Sequence, residues 1–227
     1  MLVYGKNVVK ELDKNKIRKI YVSNEDIISY LKDNNLKYDL VPKVKLDKMV
    51  KGNHQGIVID VFDYEYYKLS DIDSDFVVAL DHLEDPHNFG AIIRTCECVG
   101  VEYIIIPKDR TVTVNDTVYK TSVGAISNVK IVMVSNLVNA INELKKKNYF
   151  IYTADMDGDN YKEVSYAKKK VLVIGNEGSG VSRLVKDNSD VIISIPMKGK
   201  INSLNASVSA SILLYGMLDE WYREYKW

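Results

Sequence analysis

VLVIGNEGSG (171–180) joins an uninterrupted apolar run to a glycine-rich loop. A strand that is apolar at every position, rather than at alternate ones, is covered on both faces, the mark of a parallel strand with helices above and below it. YIIIP (103–107) reads the same way. Around these two lie FVVALDHL (76–83), VKIVMVS (129–135), YFIYTADM (149–156) and VIISIP (191–196) as further strands, with helices over 88–99 and 137–147. They predict an α/β domain, doubly wound, with a parallel sheet and helices on both faces. The closing stretch, residues 203–227, places Leu204, Val208, Ile212, Tyr215, Leu218 and Tyr222 at helical spacing. It predicts one long amphipathic helix, apolar enough to pack on its own sheet or on another subunit.

Towards the amino terminus the pattern shortens. NVVKELDK reads as a helix, RKIYVS (18–23) as a strand and NEDIISYLKDNN (24–35) as a helix capped by Asn24, and YDLVP (38–42) and GIVIDVF (56–62) read as strands. This is a small α/β unit. DYEYYKLSDIDSD (63–75) is polar and carries no sustained period. The expected division is therefore a first module over 1–66, a linker over 67–75 and a larger domain over 76–227.

The 227 residues are 46% hydrophobic and 27% charged with four prolines, which excludes collagen-like or largely disordered chains. Net charge is zero, so there is no global basic field. Residues 1–70 hold 13 Lys+Arg against 10 Asp+Glu, a mild basic excess offset by the remainder. No run is apolar for long enough to cross a bilayer, and the first twenty residues are too charged for a signal peptide, so a soluble, cytoplasmic protein is expected. Cys96 and Cys98 point about 200° apart on a helix and are expected to stay reduced. With His54, His82 and His87 they make no zinc spacing, and no metal is expected.

In open α/β sheets, ligands gather beyond the carboxyl ends of strands. Three segments there are unusually polar: LDHLEDPHNFGAIIRT (80–95), GNEGSG (175–180) and IPMKGKINSLNAS (195–207). In the first, Asn88 can be a helix cap, and Arg94, among apolar neighbours, is either paired with a carboxylate, aimed at an anion or laid along the surface. In the second, the glycine order fits neither the dinucleotide nor the P-loop fingerprint, and Glu177 would repel a bare phosphate. A carboxylate there favours a cationic or donor-rich ligand such as a sulfonium. Within the third, Ser203 can be an N-cap, Asn205 is a poor helix former for a first turn, and Lys198 and Lys200 either meet phosphate or are simply solvated.

Taken together, DPHNFGAIIRT, GNEGSG and IPMKGKINSLNAS resemble the three motifs of the SpoU/TrmH branch of the SPOUT methyltransferases, RNA ribose 2′-O-methyltransferases that use S-adenosylmethionine. The likeness spans residues 76 to about 216. VYGKNVVKEL through GNHQGIVIDV is similar to the ribosomal-protein-like α/β substrate-binding domain of members that act on large-subunit ribosomal RNA. The resemblance implies a carboxyl-terminal trefoil knot and a homodimer. It places catalytic roles on Asn88, Arg94, Glu177, Ser203 and Asn205, and cofactor contacts on Gly175, Asn176, Gly178, Gly180, Ile195, Met197 and Leu204. RNA contacts are expected at His54 and Gln55, with a satisfied turn as the alternative, and at Lys198 and Lys200. Three other readings stand beside it: a catalytically silent RNA-binding or assembly protein, transfer RNA as the substrate, and a nucleotide-binding oxidoreductase.

Overall fold

The computed structural model describes residues 1–200 and 203–218. Chain order is β1 (Leu2–Tyr4), α1 (Lys6–Glu11), β2 (Ile17–Val22), α2 (Ile28–Asp33), β3 (Asp39–Leu40), α3 (Lys43–Met49) and β4 (Ile57–Val61). These strands form a four-stranded sheet, β1-β4-β2-β3, antiparallel except for the β2–β3 pair. There follow β5 (Phe76–Asp81), α4 (Pro86–Cys98), β6 (Tyr103–Pro107), α5 (Asp116–Thr121), β7 (Lys130–Val134), α6 (Leu137–Lys146), β8 (Phe150–Asn160), β9 (Lys170–Gly175), α7 (Arg183–Asp187), β10 (Val191–Ser194) and α8 (Ala206–Gly216). The second sheet runs β10-β8-β9-β5-β6-β7, and every neighbouring pair is parallel.

The apolar strands do what their composition demands. Alternate residues of β5, β6 and β9 enter two separate cores. Val78, Leu80, Ile104, Ile106, Leu172 and Ile174 pack with Phe89, Ile92 and Ile93 of α4 and Leu213 and Leu214 of α8. On the other face, Val77, Ala79, Ile105, Val171 and Val173 pack with Leu137, Ile141 and Leu144 of α6 and Val185 of α7. Each such Val, Leu or Ile contributes about 1.5–3 kcal/mol on burial, which fixes the strand order far more firmly than any loop.

The first core runs on into the amino-terminal sheet, taking in Val3, Val8, Leu12, Ile20 and Ile59. Residues 63–75 lie along the edge of the second sheet. Tyr67 bridges Val132, Tyr64 Oη accepts from Ile131 N at 3.0 Å, and Tyr66 Oη accepts from Val114 N at 2.9 Å. The tyrosines that look aperiodic in sequence are thus hydrogen-bonding anchors.

Two helix starts differ from expectation. Asp85, not Asn88, caps α4, accepting from His87 N and Asn88 N with Pro86 in the first turn. Asn205, not Ser203, caps α8, accepting from Ser207 N and Val208 N. Its side chain is better suited to ending a loop than to filling a helical turn, which also explains its place in the sequence. The expected helix over 203–227 begins at Ala206, and its part beyond 218, with Tyr222, lies outside the described residues.

Candidate active site

Loop 175–180 is held by its own backbone and by two distant side chains. Asn176 N donates to Gly180 O at 3.2 Å, and Gly180 N donates to Asn176 O at 2.9 Å. This narrow closure leaves no room at Gly175, where a Cβ would fall on the backbone of Gly180 and Val181. Gly180 turns the chain with φ +66. Asn176 Oδ1 accepts from Gly178 N at 2.8 Å, while Nδ2 donates to the carbonyl of His82 at 3.1 Å. Below the loop, the buried Asp81 closes β5: Oδ2 accepts from Ser182 N at 2.7 Å, and Oδ1 meets His82 Nδ1 at 2.5 Å.

These anchors turn Glu177 outward, where it is exposed. Asn88 Nδ2 donates to Glu177 Oε1 across 89 residues of sequence. The first two polar segments therefore meet. Asn88 itself is buried, so the contact pins the loop to the start of α4.

The neighbouring strand opens the cleft. β8 pairs with β10 at Tyr152↔Val191 and Thr153↔Ile192, then resumes at Asp159↔Ile193, so residues 154–158 are looped out. Gly158 makes the return possible, since a Cβ there would stand 2.6 Å from Ile193 N. The result is a cleft of about 430 Å³ between the looped-out segment, loop 175–180, the chain after β10 and the first turns of α8. All seven residues expected to contact a cofactor, Gly175, Asn176, Gly178, Gly180, Ile195, Met197 and Leu204, line it, and so do Glu177 and Ser203. Met197 and Leu204 are 40% and 37% exposed, and with Ile195 they give the cleft wall an apolar stretch.

Sequence reading missed Asp155, Asp157, Lys186 and Ser209, which also line the cleft. Asp155 is nearly buried and paired with Lys186 of α7. Its signal was available: TADMDGD is a fourth polar strand end, and β8 adjoins β9 in the sheet.

Arg94 stands elsewhere. Among the described residues, neither Arg94 nor Asn88 nor Asn205 lines the cleft itself. Arg94 is exposed, although its neighbours Ile92 and Ile93 are fully buried, and no carboxylate pairs with it at contact distance among the described residues, so of its three readings the first does not hold. It looks away from the apolar face of α4. Lys198 and Lys200 are exposed beside the cleft's rim residue Met197.

In the amino-terminal sheet unit, His54 is buried and serves the turn. Nδ1 accepts from Gly56 N at 3.0 Å, which makes Nε2 the protonated nitrogen, facing Asp47 Oδ1 at 2.9 Å. Of its two readings, a direct RNA contact and a satisfied turn, its bonds serve the second. Gln55 is exposed, with Oε1 accepting from Lys6 N at 3.0 Å. Both border a second cleft of about 480 Å³ with Lys6, Lys43 and Asn53. Cys96 is buried, which pushes its thiol up, and Cys98 is exposed. Among the described residues no group of three or more His, Cys, Asp or Glu could hold a metal ion, and no helix is long and apolar enough to cross a membrane.

Comparison with known proteins identifies the family. Residues 75–215 match the SpoU rRNA Methylase family, and residues 2–67 match the RNA 2′-O ribose methyltransferase substrate binding family. A Staphylococcus haemolyticus protein assigned to the TrmH family of tRNA/rRNA methyltransferases is 40% identical, covering 95% of this chain and 94% of its own. A Bacillus subtilis protein with the same assignment is 38% identical, covering 94% and 93%. Among solved structures, the SpoU methyltransferase AviRb of Streptomyces viridochromogenes, crystallised with AdoMet, superposes with a TM-score of 0.80 at 22% identity, over 96% of this chain and 88% of that one. This last likeness concerns the fold. With the family matched over both sheets and the relatives matched almost end to end, the chain belongs to the SpoU/TrmH family of RNA methyltransferases.

Proposed function

We propose that this chain transfers a methyl group from S-adenosylmethionine to a ribose 2′-hydroxyl of ribosomal RNA in the cytoplasm. The observation that carries the reading is the cleft of about 430 Å³ that gathers all seven cofactor candidates. Its chemistry suits the cofactor: a carboxylate among glycines tolerates a cationic ligand that has no phosphate, and apolar Ile195, Met197 and Leu204 offer a surface for a flat ring. Bound there, S-adenosylmethionine supplies an electrophilic methyl group on a sulfonium.

The chain's own residues then have to bring O2′ into line and manage its proton. Ser203, at the cleft wall, and Asn205, the cap just beyond it, orient the hydroxyl. Asn88 and Glu177 hold the loop at one spacing from α4. Arg94 holds the adjacent phosphate and stabilises the charge that develops on O2′. A guanidinium keeps its proton far above neutral pH, so this electrostatic role suits it better than that of general base, and the hydroxyl proton passes to solvent water as the methyl leaves sulfur and bonds to O2′. Because Arg94 looks away from its own cleft, it acts at the cleft of a second subunit, in a homodimer that uses the exposed Val208 and Tyr215 of α8. A trefoil-knotted path from β9 to α8 completes the reading.

Residues 1–66 dock the RNA, 67–75 connect, and 76–227 carry the chemistry. Gln55, Lys198 and Lys200 contact RNA, and His54 shapes the turn that presents Gln55. The matched description of residues 2–67 as substrate binding supports this division.

The test is transfer of tritiated methyl from S-adenosylmethionine to ribosomal RNA and, separately, to transfer RNA, both taken from cells lacking the protein, followed by nucleoside digestion. Label in a 2′-O-methyl nucleoside of ribosomal RNA is expected. Label confined to transfer RNA would replace the substrate, and label on a base would replace the reaction. Arg94→Ala should lose about 10²–10³ in rate, whereas near-normal turnover by Arg94→Lys would remove the special demand for a planar fork.

A further inference from the structure

The following rests on the reading of Arg94 as an active-site residue. Asn88 and Arg94 share α4, yet a separation of six positions leaves them roughly 120° apart around the axis. One looks to loop 175–180, and the other must look somewhere else. Residues at i−4 and i+3 share its stripe and say where. Gly90, four residues before, lies so close to α5 that a Cβ would run into Thr121 Oγ1. Glu97, three residues after, accepts from Asn128 Nδ2 at 3.3 Å. Arg94 therefore faces the segment 121–128.

In the middle of that segment Gly124 has φ +81 and no side chain. Glu11, the last residue of α1, fills the space: a Cβ on Gly124 would stand 2.7 Å from Glu11 Cβ and 3.3 Å from its Cγ. The first sheet unit thus delivers one half-buried carboxylate to the stripe of α4 that carries Arg94. Burial pushes the Glu11 carboxyl up from its ordinary value, and the positive charge of Arg94 acts against that push. Among the described residues, Arg94 makes no hydrogen bond or ion pair at contact distance, which leaves the Glu11 carboxylate as the charge that acts on it across space.

We propose that Glu11 is a positioning residue for Arg94: the carboxylate set on Gly124 by the RNA-docking module narrows the rotamers of the guanidinium and turns its fork towards the RNA phosphate. An arginine left free in solvent would have to lose that rotamer freedom at every turnover. Docking module and catalytic arginine are thereby coupled within one chain, and a shift of the first against the second would misdirect the arginine.

Glu11→Gln keeps the shape and removes the charge. Its kcat for methyl transfer to ribosomal RNA from cells lacking the protein should fall about fivefold, with unchanged affinity for S-adenosylmethionine and an unchanged melting temperature. Glu11→Asp should recover about half of the loss. In 15N-labelled protein without cofactor, the Nε–Hε resonance of Arg94, assigned by its disappearance in Arg94→Lys, should move in Glu11→Gln towards the averaged position of solvent-exposed arginines. In an Arg94→Ala background, where no charge is left for Glu11 to position, Glu11→Gln should change the residual rate less than about twofold. Wild-type kcat with an unmoved resonance would overturn the proposal, as would an equal loss in both backgrounds, which marks a purely structural glutamate. Full activity in Arg94→Ala would instead defeat the reading of Arg94 itself, and this inference with it.

Discussion

Two loops of this protein are built from nearly the same letters and do opposite things. GNHQG (52–56) and GNEGSG (175–180) each open with Gly-Asn, and in each the asparagine Oδ1 accepts a backbone N–H two residues on, from Gln55 at 3.2 Å and from Gly178 at 2.8 Å. The residue that follows the asparagine is then sent in opposite directions. His54 is buried between Asp47 and Gly56, whereas Glu177 stands exposed at the cleft and meets Asn88 from the first turn of α4. Local chemistry sets the turn in both; near partners, Asp47 and Gly56, bury the central side chain of the first, and a distant one, Asn88, meets the presented side chain of the second. A polar residue in a glycine loop is therefore a functional candidate only once its burial is known.

Four substitutions sharpen or break this contrast. Glu177→Ala has the largest expected effect, a fall of about 10²-fold in methyl transfer with a stability cost of about 1 kcal/mol, because the buried Asn88 amide loses its acceptor. Turnover assays and thermal melts on one preparation check it, and a large melting shift with full activity would reverse the roles assigned to the two loops. Next comes Gly175→Ala, where the added methyl meets the Gly180 backbone. It should cost about 1–3 kcal/mol of stability, and titration calorimetry should find no S-adenosylmethionine binding. His54→Ala should cost about 2 kcal/mol, since Asp47 and the Gly56 N–H both lose a partner, while the affinity for S-adenosylmethionine stays at its wild-type value. The smallest change belongs to Gln55→Ala, with about 0.5 kcal/mol or less in stability and a few-fold loss in RNA affinity read by filter binding. An unchanged RNA affinity would leave the first loop with no part in docking.

How much of this could be read from the letters depends on how many residues an element buries. YIIIP forms a strand over its whole expected span, 103–107, because every residue there is buried. Short α3 and α7 left no usable period, since Leu46 and Val185 are the only buried residues they contain. Cap positions were ambiguous for a different reason. Asp85 and Asn88, like Ser203 and Asn205, are competing side chains within one turn of each other, and only backbone geometry decides between them. Asp155 escaped notice because its segment continues a strand in pattern, whereas the chain leaves the pairing after Thr153 and rejoins it only where Gly158 approaches Ile193. The exposure of Arg94 was hidden by its apolar neighbours, which belong to the opposite side of the same helix.

The measurement that bears most directly on the central claim is nucleoside mass spectrometry of ribosomal RNA from cells lacking this chain, complemented with either the wild-type protein or Arg94→Ala. One 2′-O-methyl nucleoside should vanish in the deletion strain, return with the wild type and stay absent with the variant. An unchanged set of 2′-O-methyl nucleosides in all three strains would contradict the account.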